Sequence, residues 1–262
     1  MASGNVLDGF SLEGKCALVI GAESAVGGAA AVALAEAGAK LLVASQEPGT
    51  DKALKEVAKA IQAANGNKTT TRTQNAAIRA ELSATADLAV NELGGLHILV
   101  NALDVPAFGP AEEADDTSFE RIIENNLKTV WMACQEGGRV MLKQGGGSIV
   151  NITSVLAERG VPNAALYCAA KAGVLNLTRA LALEWARRGI RVNALEAGWL
   201  DDESSVAAKD DEFGKTLLKY LPDNQLIKPE ELGGALIYLV SSASSFVTGE
   251  SIAVDGGLRA RV

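Results

Sequence analysis

The feature that most constrains this chain is a regular alternation of short apolar runs, typical of β-strands, with longer segments of helical character. Strands connected through helices pair in parallel, and the helices then cover both faces of the sheet. The alternation predicts an α/β chain with one doubly wound parallel sheet of about seven strands. The predicted strands are Cys16–Ile20, Lys40–Ala44, Thr69–Thr73, Ile98–Asn101, Ser148–Ile152, Arg191–Ala194 and Ser251–Val254. The predicted helices span residues 26–38, 51–64, 76–93, 117–143, 165–188 and 229–242.

The domain organisation follows from the same alternation. No linker or repeat interrupts it, so residues 1–262 are predicted to form a single domain. Segment 198–222 is the exception, because it is long, acidic and follows the end of a predicted strand. Long insertions at that edge of a sheet are often functional, and we expect this segment to be a substrate lid.

Charge and composition exclude several classes of partner. The net charge is −8 and no Lys/Arg cluster stands out, which argues against nucleic acid and anionic membranes. No apolar run reaches about 18 residues, the length needed to cross a bilayer. Three scattered cysteines and the lack of a recognisable leader pattern favour the cytoplasm. With one histidine, no histidine-based metal site is expected.

The turn after the first predicted strand is rich in glycine. It reads Val19-Ile-Gly-Ala-Glu-Ser-Ala-Val-Gly-Gly28 and leads into an alanine-rich helix. Glycines allow tight turns and close approach of the backbone to a pyrophosphate at a helix N-terminus. Such turns are common, so this one alone only suggests a nucleotide site.

A second pattern, Tyr167-Cys-Ala-Ala-Lys171, carries reactive groups. The spacing puts the Tyr167 phenol and the Lys171 ammonium on one helix face, one turn apart. A nearby cation favours phenolate, so Tyr167 is expected to exchange a proton with an alcohol or ketone oxygen. Ser154, at the end of the strand before this helix, is placed to hydrogen-bond the same oxygen.

From about Leu12 to Leu258, the chain resembles the short-chain dehydrogenase/reductase family, whose fold is a Rossmann-like sheet. The motifs occur in the family's order. They are the glycine turn at 21–27, Asn101–Asp104, Asn126, Ser154, Tyr167 with Lys171, Arg191–Ala194 leading to Gly198, and the closing segments at 248–249 and 254–257.

The resemblance implies a catalytic tetrad of Asn126, Ser154, Tyr167 and Lys171. Tyr167 would be the general acid/base, Ser154 would polarise the carbonyl, Lys171 would lower the phenol's pKa and hold the nicotinamide ribose, and Asn126 would anchor a water. The implied dinucleotide contacts are Gly21, Glu23, Ser24, Ala25, Val26, Gly27, Ser45, Gln46, Asn75, Ala76, Asn101, Ala102, Tyr167, Lys171, Gly198 and Leu200. Candidate substrate contacts are Val155, Leu156, Glu158 and Trp199.

The cofactor motifs depart from the family pattern at several positions. Ala25 replaces the middle glycine of the turn, and Asp104 replaces the glycine after the fourth strand. We expect Asp104 on the adenosine side, where its carboxylate would repel phosphates. These departures leave open an alternative, a non-catalytic scaffold or regulatory subunit with impaired cofactor binding.

The preferred cofactor depends on the end of the second strand, where an acid selects NAD and a cation selects NADP. Ser45 takes the place of the acid, and Ser24 takes the place of the usual cation in the glycine turn. Glu23 and Glu47 lie close by and would leave a 2′-phosphate unpaired among acids. NAD(H) is therefore favoured over NADP(H).

The predicted activity is NAD(P)-dependent interconversion of a secondary alcohol and a ketone of small size. A 3-oxoacyl thioester remains an alternative substrate class. The predicted helix 165–188 is apolar almost all round, which suggests that its second face packs against another subunit. The resemblance implies a homotetramer, with a dimer as the alternative.

Overall fold

The computed structural model describes residues 5–202 and 211–260. Its centre is one seven-stranded sheet in the order β3-β2-β1-β4-β5-β6-β7, in which every pair of neighbours is parallel. The strands are β1 Cys16–Ile20, β2 Lys40–Ala44, β3 Thr70–Arg72, β4 Ile98–Asn101, β5 Gly147–Ser154, β6 Ile190–Ala197 and β7 Ser251–Val254. The predicted fold class is confirmed.

Eight α-helices lie within the described residues. They are α1 Ala25–Glu36, α2 Asp51–Asn65, α3 Arg79–Leu93, α4 Asp116–Ile123, α5 Thr129–Gln144, α6 Ala165–Trp185, α7 Asp211–Tyr220 and α8 Gly233–Val240. The predicted helix 117–143 is found as a continuous helical segment, in which the π-helical turn Glu124–Lys128 separates α4 from α5. The predicted helix 229–242 begins instead with the 3₁₀ turn Pro229–Leu232.

Two apolar layers enclose the sheet. One face packs against α1, α2 and α8 through side chains such as Leu34, Leu54 and Leu236. The other face packs against α3, α5 and α6 through Leu82, Met132 and others. Burial on both faces explains why the strands are continuously apolar rather than alternating.

Helix α6, whose second face is predicted to pack against another subunit, is buried on one side within this chain. Its inner face is buried, but Ala165, Ala169, Ala172 and Leu183 are exposed on its outer face, Leu183 to 84%. The outer face thus carries small and apolar side chains that this chain does not cover, beside the exposed polar residues Asn176, Arg179 and Glu184. Of the helices in the described ranges, none has both the length and the apolar character needed to cross a bilayer.

The sheet order fixes where a ligand can bind. Connections from β1 run outward to β2 and β3, whereas β4 starts the series that runs the other way. In open parallel sheets the crevice forms at this reversal, outside the carboxyl ends of the strands. The predicted lid, 198–222, lies partly outside the described residues, at 203–210.

Candidate active site

A cleft of about 170 Å³ opens at the carboxyl ends of β1, β4, β5 and β6. It brings together residues that are far apart in the sequence. Its lining comprises Ser24, Ala25, Val26, Ala102, Asp104, Pro106, Phe108, Ile152, Thr153, Ser154, Val155, Leu156, Tyr167, Lys171, Ala197, Gly198, Trp199, Leu200 and Asp202. The predicted nucleotide turn and the predicted Ser–Tyr–Lys group therefore share one cavity.

The glycine turn is closely packed. Gly21 has a φ of +84°, and a Cβ there would lie 2.2 Å from the carbonyl oxygen of Ala102. A Cβ on Gly27 would lie 2.1 Å from the carbonyl oxygen of Gly21. Ser24 caps α1 by accepting a hydrogen bond from the Gly27 N–H at 3.0 Å. Ala25 is the exposed first residue of α1, where a side chain is tolerated.

Glu23 extends from this turn to the end of β2. Its Oε1 accepts hydrogen bonds from the backbone N–H groups of Gln46, at 2.7 Å, and Glu47, at 3.2 Å. Burial raises the pKa of Glu23, although these backbone bonds oppose the shift. Among the described residues, neither Oε2 of Glu23 nor Nε2 of Gln46 has a hydrogen-bond partner, although both atoms are buried. One acceptor and one donor are thus unsatisfied at the end of β2.

The structure corrects the interpretation of Ser45. Its side chain is fully buried, and its hydroxyl both donates to the carbonyl oxygen of Gln74 and accepts from the Gln74 N–H. It therefore joins β2 to the segment after β3, and both hydrogen bonds of its hydroxyl are made within the protein. Asn75 and Ala76 follow in that segment, where Ala76 is buried and the Asn75 side chain accepts from the Ala77 N–H.

Tyr167, Lys171 and Ser154 meet on the opposite side of the cleft. The Lys171 side chain is 2% exposed and its Nζ lies 5.4 Å from the centre of the Tyr167 ring. Nζ also donates to the carbonyl oxygen of Leu103 at 3.0 Å. The Ser154 hydroxyl faces the phenol and acts to lower the pKa of Tyr167. The predicted spacing on one helix face does bring these groups together.

Asp104 is placed differently from the sequence-based expectation. Its Oδ1 accepts a hydrogen bond from the Tyr167 hydroxyl at 2.8 Å and lies 2.7 Å from Nζ of Lys171. The carboxylate is thus at the phenol and not on the adenosine side. The expectation failed because the direction of this side chain depends on the connection after β4, which is fixed by residues distant in the sequence.

The environment of Tyr167 reverses the expected shift of its pKa. Burial, followed by the charge of Asp104 and its hydrogen bond, raises the pKa of Tyr167 well above the ordinary value. The lowering of the Tyr167 pKa that we expected from Lys171 is outweighed by burial and by Asp104. The neutral phenol is the stable form.

The two asparagines near the cleft are held by other groups. Asn126, in the π-helical turn, accepts from the Val105 N–H and donates to the Val105 carbonyl, both at 2.9 Å. It fixes the connection after β4 rather than contacting Lys171. The Asn101 side chain is fully buried and donates to the Asn151 side chain at 2.8 Å, so it joins β4 to β5.

Aromatic and apolar side chains form the outer part of the cleft. The ring of Phe108 lies 6.1 Å from that of Tyr167 and 6.2 Å from that of Trp199. Val155 and Leu156, which are predicted substrate contacts, are buried beside Tyr167. Glu158 is a correction, because it does not line the cleft and its carboxylate contacts Arg259 at 2.8 Å.

Gly198 and Leu200 lie where β6 leaves the sheet. A Cβ on Gly198 would come within 2.8 Å of the Asp255 Cα, so only glycine fits there. Leu200 forms an isolated bridge with Ile227. The sequence reasoning missed Pro106 and Phe108 as lining residues. The signal available was their position directly after a strand that ends at the cleft.

Comparisons with known proteins agree with this geometry. The family model described as "Enoyl-(Acyl carrier protein) reductase" matches residues 21–259. The cis-4-hydroxycyclohexanecarboxylate dehydrogenase of Sinomonas cyclohexanicum is 38% identical over 94% of this chain and 97% of its own. The D-threitol dehydrogenase of Mycolicibacterium smegmatis is 34% identical, over 95% and 94%.

A solved structure is similar over nearly the whole chain. The gluconate 5-dehydrogenase of Burkholderia cenocepacia J2315, in complex with NADP and tartrate, superposes with a TM-score of 0.91 at 32% identity. The match covers 98% of this chain and all of that one. This chain belongs to the short-chain dehydrogenase/reductase family. It is an NAD(P)-dependent oxidoreductase of the alcohol/ketone type, and the scaffold alternative is not favoured.

Proposed function

We propose that this chain oxidises neutral secondary alcohols and reduces the corresponding ketones, with NAD(H) as hydride carrier and Tyr167 as general acid/base. The observation that carries the proposal is the shared cleft. The Tyr167 phenol, Ser154 and the closely packed glycine turn all line it. The substrate oxygen would be held by the hydroxyls of Ser154 and Tyr167, and the phenol would transfer the proton.

Residues of this chain fit a dinucleotide along the crevice. The glycine turn and the N-terminus of α1 would hold the pyrophosphate, since the first N–H groups of a helix have no partner within the helix. Lys171 and the segment Gly198–Leu200 would lie by the nicotinamide. The bound dinucleotide supplies the hydride acceptor or donor, and the protein supplies orientation and the proton. Asn126 positions the connection after β4 on which this end depends.

The preference for NAD(H) is supported by Glu23. This residue brings a carboxylate to the end of β2, where the ribose of the adenosine would lie. The unpaired Glu23 Oε2 would accept from one ribose hydroxyl, and the unpaired Gln46 Nε2 would donate to another. A 2′-phosphate would meet the same carboxylate and be repelled. The acid thus comes from the glycine turn instead of from β2.

A neutral substrate is supported by the charges in the cleft. Among the described lining residues, the charged ones are Asp104, Asp202 and Lys171. Lys171 is paired with Asp104, so a carboxylate on the substrate would meet acids. Phe108, Trp199 and Leu156 offer an apolar surface for a carbon skeleton or ring. These features favour polyols or cyclic alcohols over sugar acids.

The test is the rate of dinucleotide reduction with matched substrate pairs, each pair differing by one carboxylate. Galactitol is compared with galactonate, and cyclohexanol with cis-4-hydroxycyclohexanecarboxylate, with NAD and with NADP. We expect higher kcat/KM for the neutral member and for NAD. Faster turnover of the acids would overturn the charge argument. Reduction of a 3-oxoacyl thioester but of none of the simple ketones would favour the other substrate class.

For assembly and location, we propose a homotetramer or dimer in the cytoplasm. The exposed small and apolar side chains on α6 support a helix-to-helix contact between subunits. Light scattering on the purified protein would give the mass of the assembly, to be compared with 27.0 kDa for one chain. A monomer at micromolar concentration would contradict the proposal.

A further inference from the structure

Asp104 makes contacts that place it in the reacting part of the cleft. One oxygen, Oδ1, accepts the Tyr167 hydroxyl hydrogen at 2.8 Å and lies 2.7 Å from the Lys171 ammonium. The phenol therefore points its proton at a carboxylate. A carboxylate that accepts from a phenol favours the neutral phenol, and burial acts in the same direction.

This arrangement affects alcohol oxidation directly. A neutral Tyr167 cannot take the alcohol proton unless its own proton leaves at the same time. The atom in contact with that proton is Oδ1 of Asp104. A proton acceptor has to lie within hydrogen-bond distance, and this one does.

We propose that Asp104 is a catalytic proton acceptor that takes the Tyr167 proton during alcohol oxidation and returns it during ketone reduction. In oxidation, the alcohol O–H bond breaks as its proton moves to Tyr167 Oη, and the Tyr167 O–H bond breaks as that proton moves to Asp104 Oδ1. The C–H electron pair leaves as hydride to the oxidised nicotinamide, and the carbonyl forms. Asp104 ends as a carboxylic acid, and reduction runs the same transfers backwards.

Backbone hydrogen bonds hold Asp104 in place, and its carboxylate is exposed to solvent. The Asp104 N–H donates to Oε1 of Gln46 at 3.0 Å, and Asn126 holds both backbone groups of the next residue, Val105. The Asp104 side chain is 44% exposed, whereas that of Lys171 is 2% exposed. Exchange with solvent is therefore open from Asp104 and closed from Lys171.

Several other groups face this pair. From α6 these are Lys171 and the Cys168 thiol, from the end of β5 the Ser154 hydroxyl, and from the connection after β6 the cleft residue Asp202. Nζ of Lys171 lies 2.7 Å from Asp104 Oδ1. Ser154 lowers the pKa of Tyr167, whereas Asp104 raises it.

The inference rests on the proposed role of Tyr167, so the first measurement needs no turnover. The phenolate absorbance of the protein without dinucleotide is followed against pH, and the Tyr167→Phe titration is subtracted. In Asp104→Asn the Tyr167 phenolate should form at lower pH than in the wild type. Glu112→Gln, which removes an exposed charge from the same connection, should leave the curve unchanged. An unchanged curve for Asp104→Asn would overturn the proposed role of Asp104. It would not contradict the proposed dehydrogenase activity.

The second measurement is the pH profile of alcohol oxidation. At pH 7 we expect Asp104→Asn to be slower by at least about tenfold in kcat and to regain rate at higher pH, as phenolate forms. Asp104→Glu should retain most of the rate. The oxidation rate is also measured in mixtures of light and heavy water, where its dependence on the heavy-water fraction gives the number of protons in transfer. We expect two protons for the wild type and one for Asp104→Asn. Equal or faster oxidation at pH 7 with the wild-type pH profile would overturn the proposal.

If Asp104→Asn does not fold, Asp104→Gly replaces it, since the backbone contacts of residue 104 do not need the side chain. The same shifts are expected. A wild-type protein that oxidises no alcohol would contradict the proposed function, and the phenol titration would still decide whether Asp104 controls the Tyr167 proton.

Discussion

Glu23 and Asp104 are both acids in turns at the carboxyl edge of the sheet, but their partners differ. Glu23 accepts from two backbone N–H groups and leaves one buried oxygen unpaired. Asp104 uses one oxygen for a phenol and an ammonium. Backbone N–H groups do not titrate, whereas a phenol and an ammonium do.

An acidic side chain can therefore serve two purposes, depending on its hydrogen-bond partners. A carboxylate whose partners are backbone groups can select a ligand by its charge. A carboxylate in contact with a phenol can exchange a proton with it. As part of the proposed function, we therefore assign recognition to the adenosine end of the crevice and proton transfer to the phenol end. Substitutions at each end, and in the turn between them, should separate these roles.

The largest effect is expected at the phenol end. Tyr167→Phe removes the proton donor and should lower kcat by about 10²–10⁴-fold, while NADH binding, measured by fluorescence, changes little. Tyr238→Phe is the matched control, since Tyr238 lies on α8 and its ring faces Phe10. Turnover that survives Tyr167→Phe would show that another group supplies the proton.

An intermediate effect is expected in the turn between the two ends. Gly27→Ala would place a Cβ 2.1 Å from the Gly21 carbonyl oxygen, so the backbone must shift. We expect the free energy of unfolding to fall by about 1–3 kcal/mol in urea titrations.

The control for this change is Gly28→Ala, one residue further along α1. Its nearest neighbour would be the Val57 side chain at 3.2 Å, which can move, and alanine favours a helix. Equal destabilisation by the two changes would show that the close approach at Gly27 is not what limits the turn.

The smallest effect is expected at the adenosine end. Glu23→Gln keeps an oxygen for the backbone N–H groups but removes the charge, so NADH should bind about tenfold more weakly and NADPH more tightly. Glu36→Gln removes an exposed charge from the opposite end of α1 and should change neither affinity. Tighter binding of NADPH by the wild type would contradict the assignment of Glu23.

The pH dependence of stability gives an independent test at the same residue. Burial raises the pKa of Glu23 in the folded protein, so its contribution to stability is present at low pH and lost as pH rises through the folded pKa. Glutamine does not titrate. The stability of Glu23→Gln relative to the wild type should therefore increase from pH 4 to pH 7, as measured by urea unfolding. A constant difference would mean that Glu23 has an ordinary pKa.

The sequence predicted the sheet well because its signals are local. Strands β1, β2, β4 and β7 begin and end as predicted, and the order of glycine turn, Ser154, Tyr167 and Lys171 indicated the family. The break at Glu124–Lys128 was missed because a π-helical turn adds a residue without a helix-breaking residue such as proline.

The site was less predictable where side chains cross between strands. Asp104 was recognised as a departure, but its direction depends on residues distant in the sequence. Gln46, just after β2, accepts from the Asp104 N–H, and Asn126 in the π-helical turn holds the next residue, Val105. Ser45 occupied the expected sequence position, yet the neighbouring Gln74 draws its hydroxyl inward. In the proposed function Glu23 would take the role of the acid, because its carboxylate reaches the backbone N–H groups of Gln46 and Glu47 after β2.

Gln46 belongs to both ends of the crevice. Its N–H donates to Glu23, and its side-chain oxygen accepts from the Asp104 N–H. One residue thus links the segment that would meet adenosine to the segment that faces the reacting phenol. If nucleotide binding at one end changes the free energy of the Asp104–Tyr167 contact, that contact must change the free energy of nucleotide binding by the same amount. Gln46 is the residue through which such a coupling would pass.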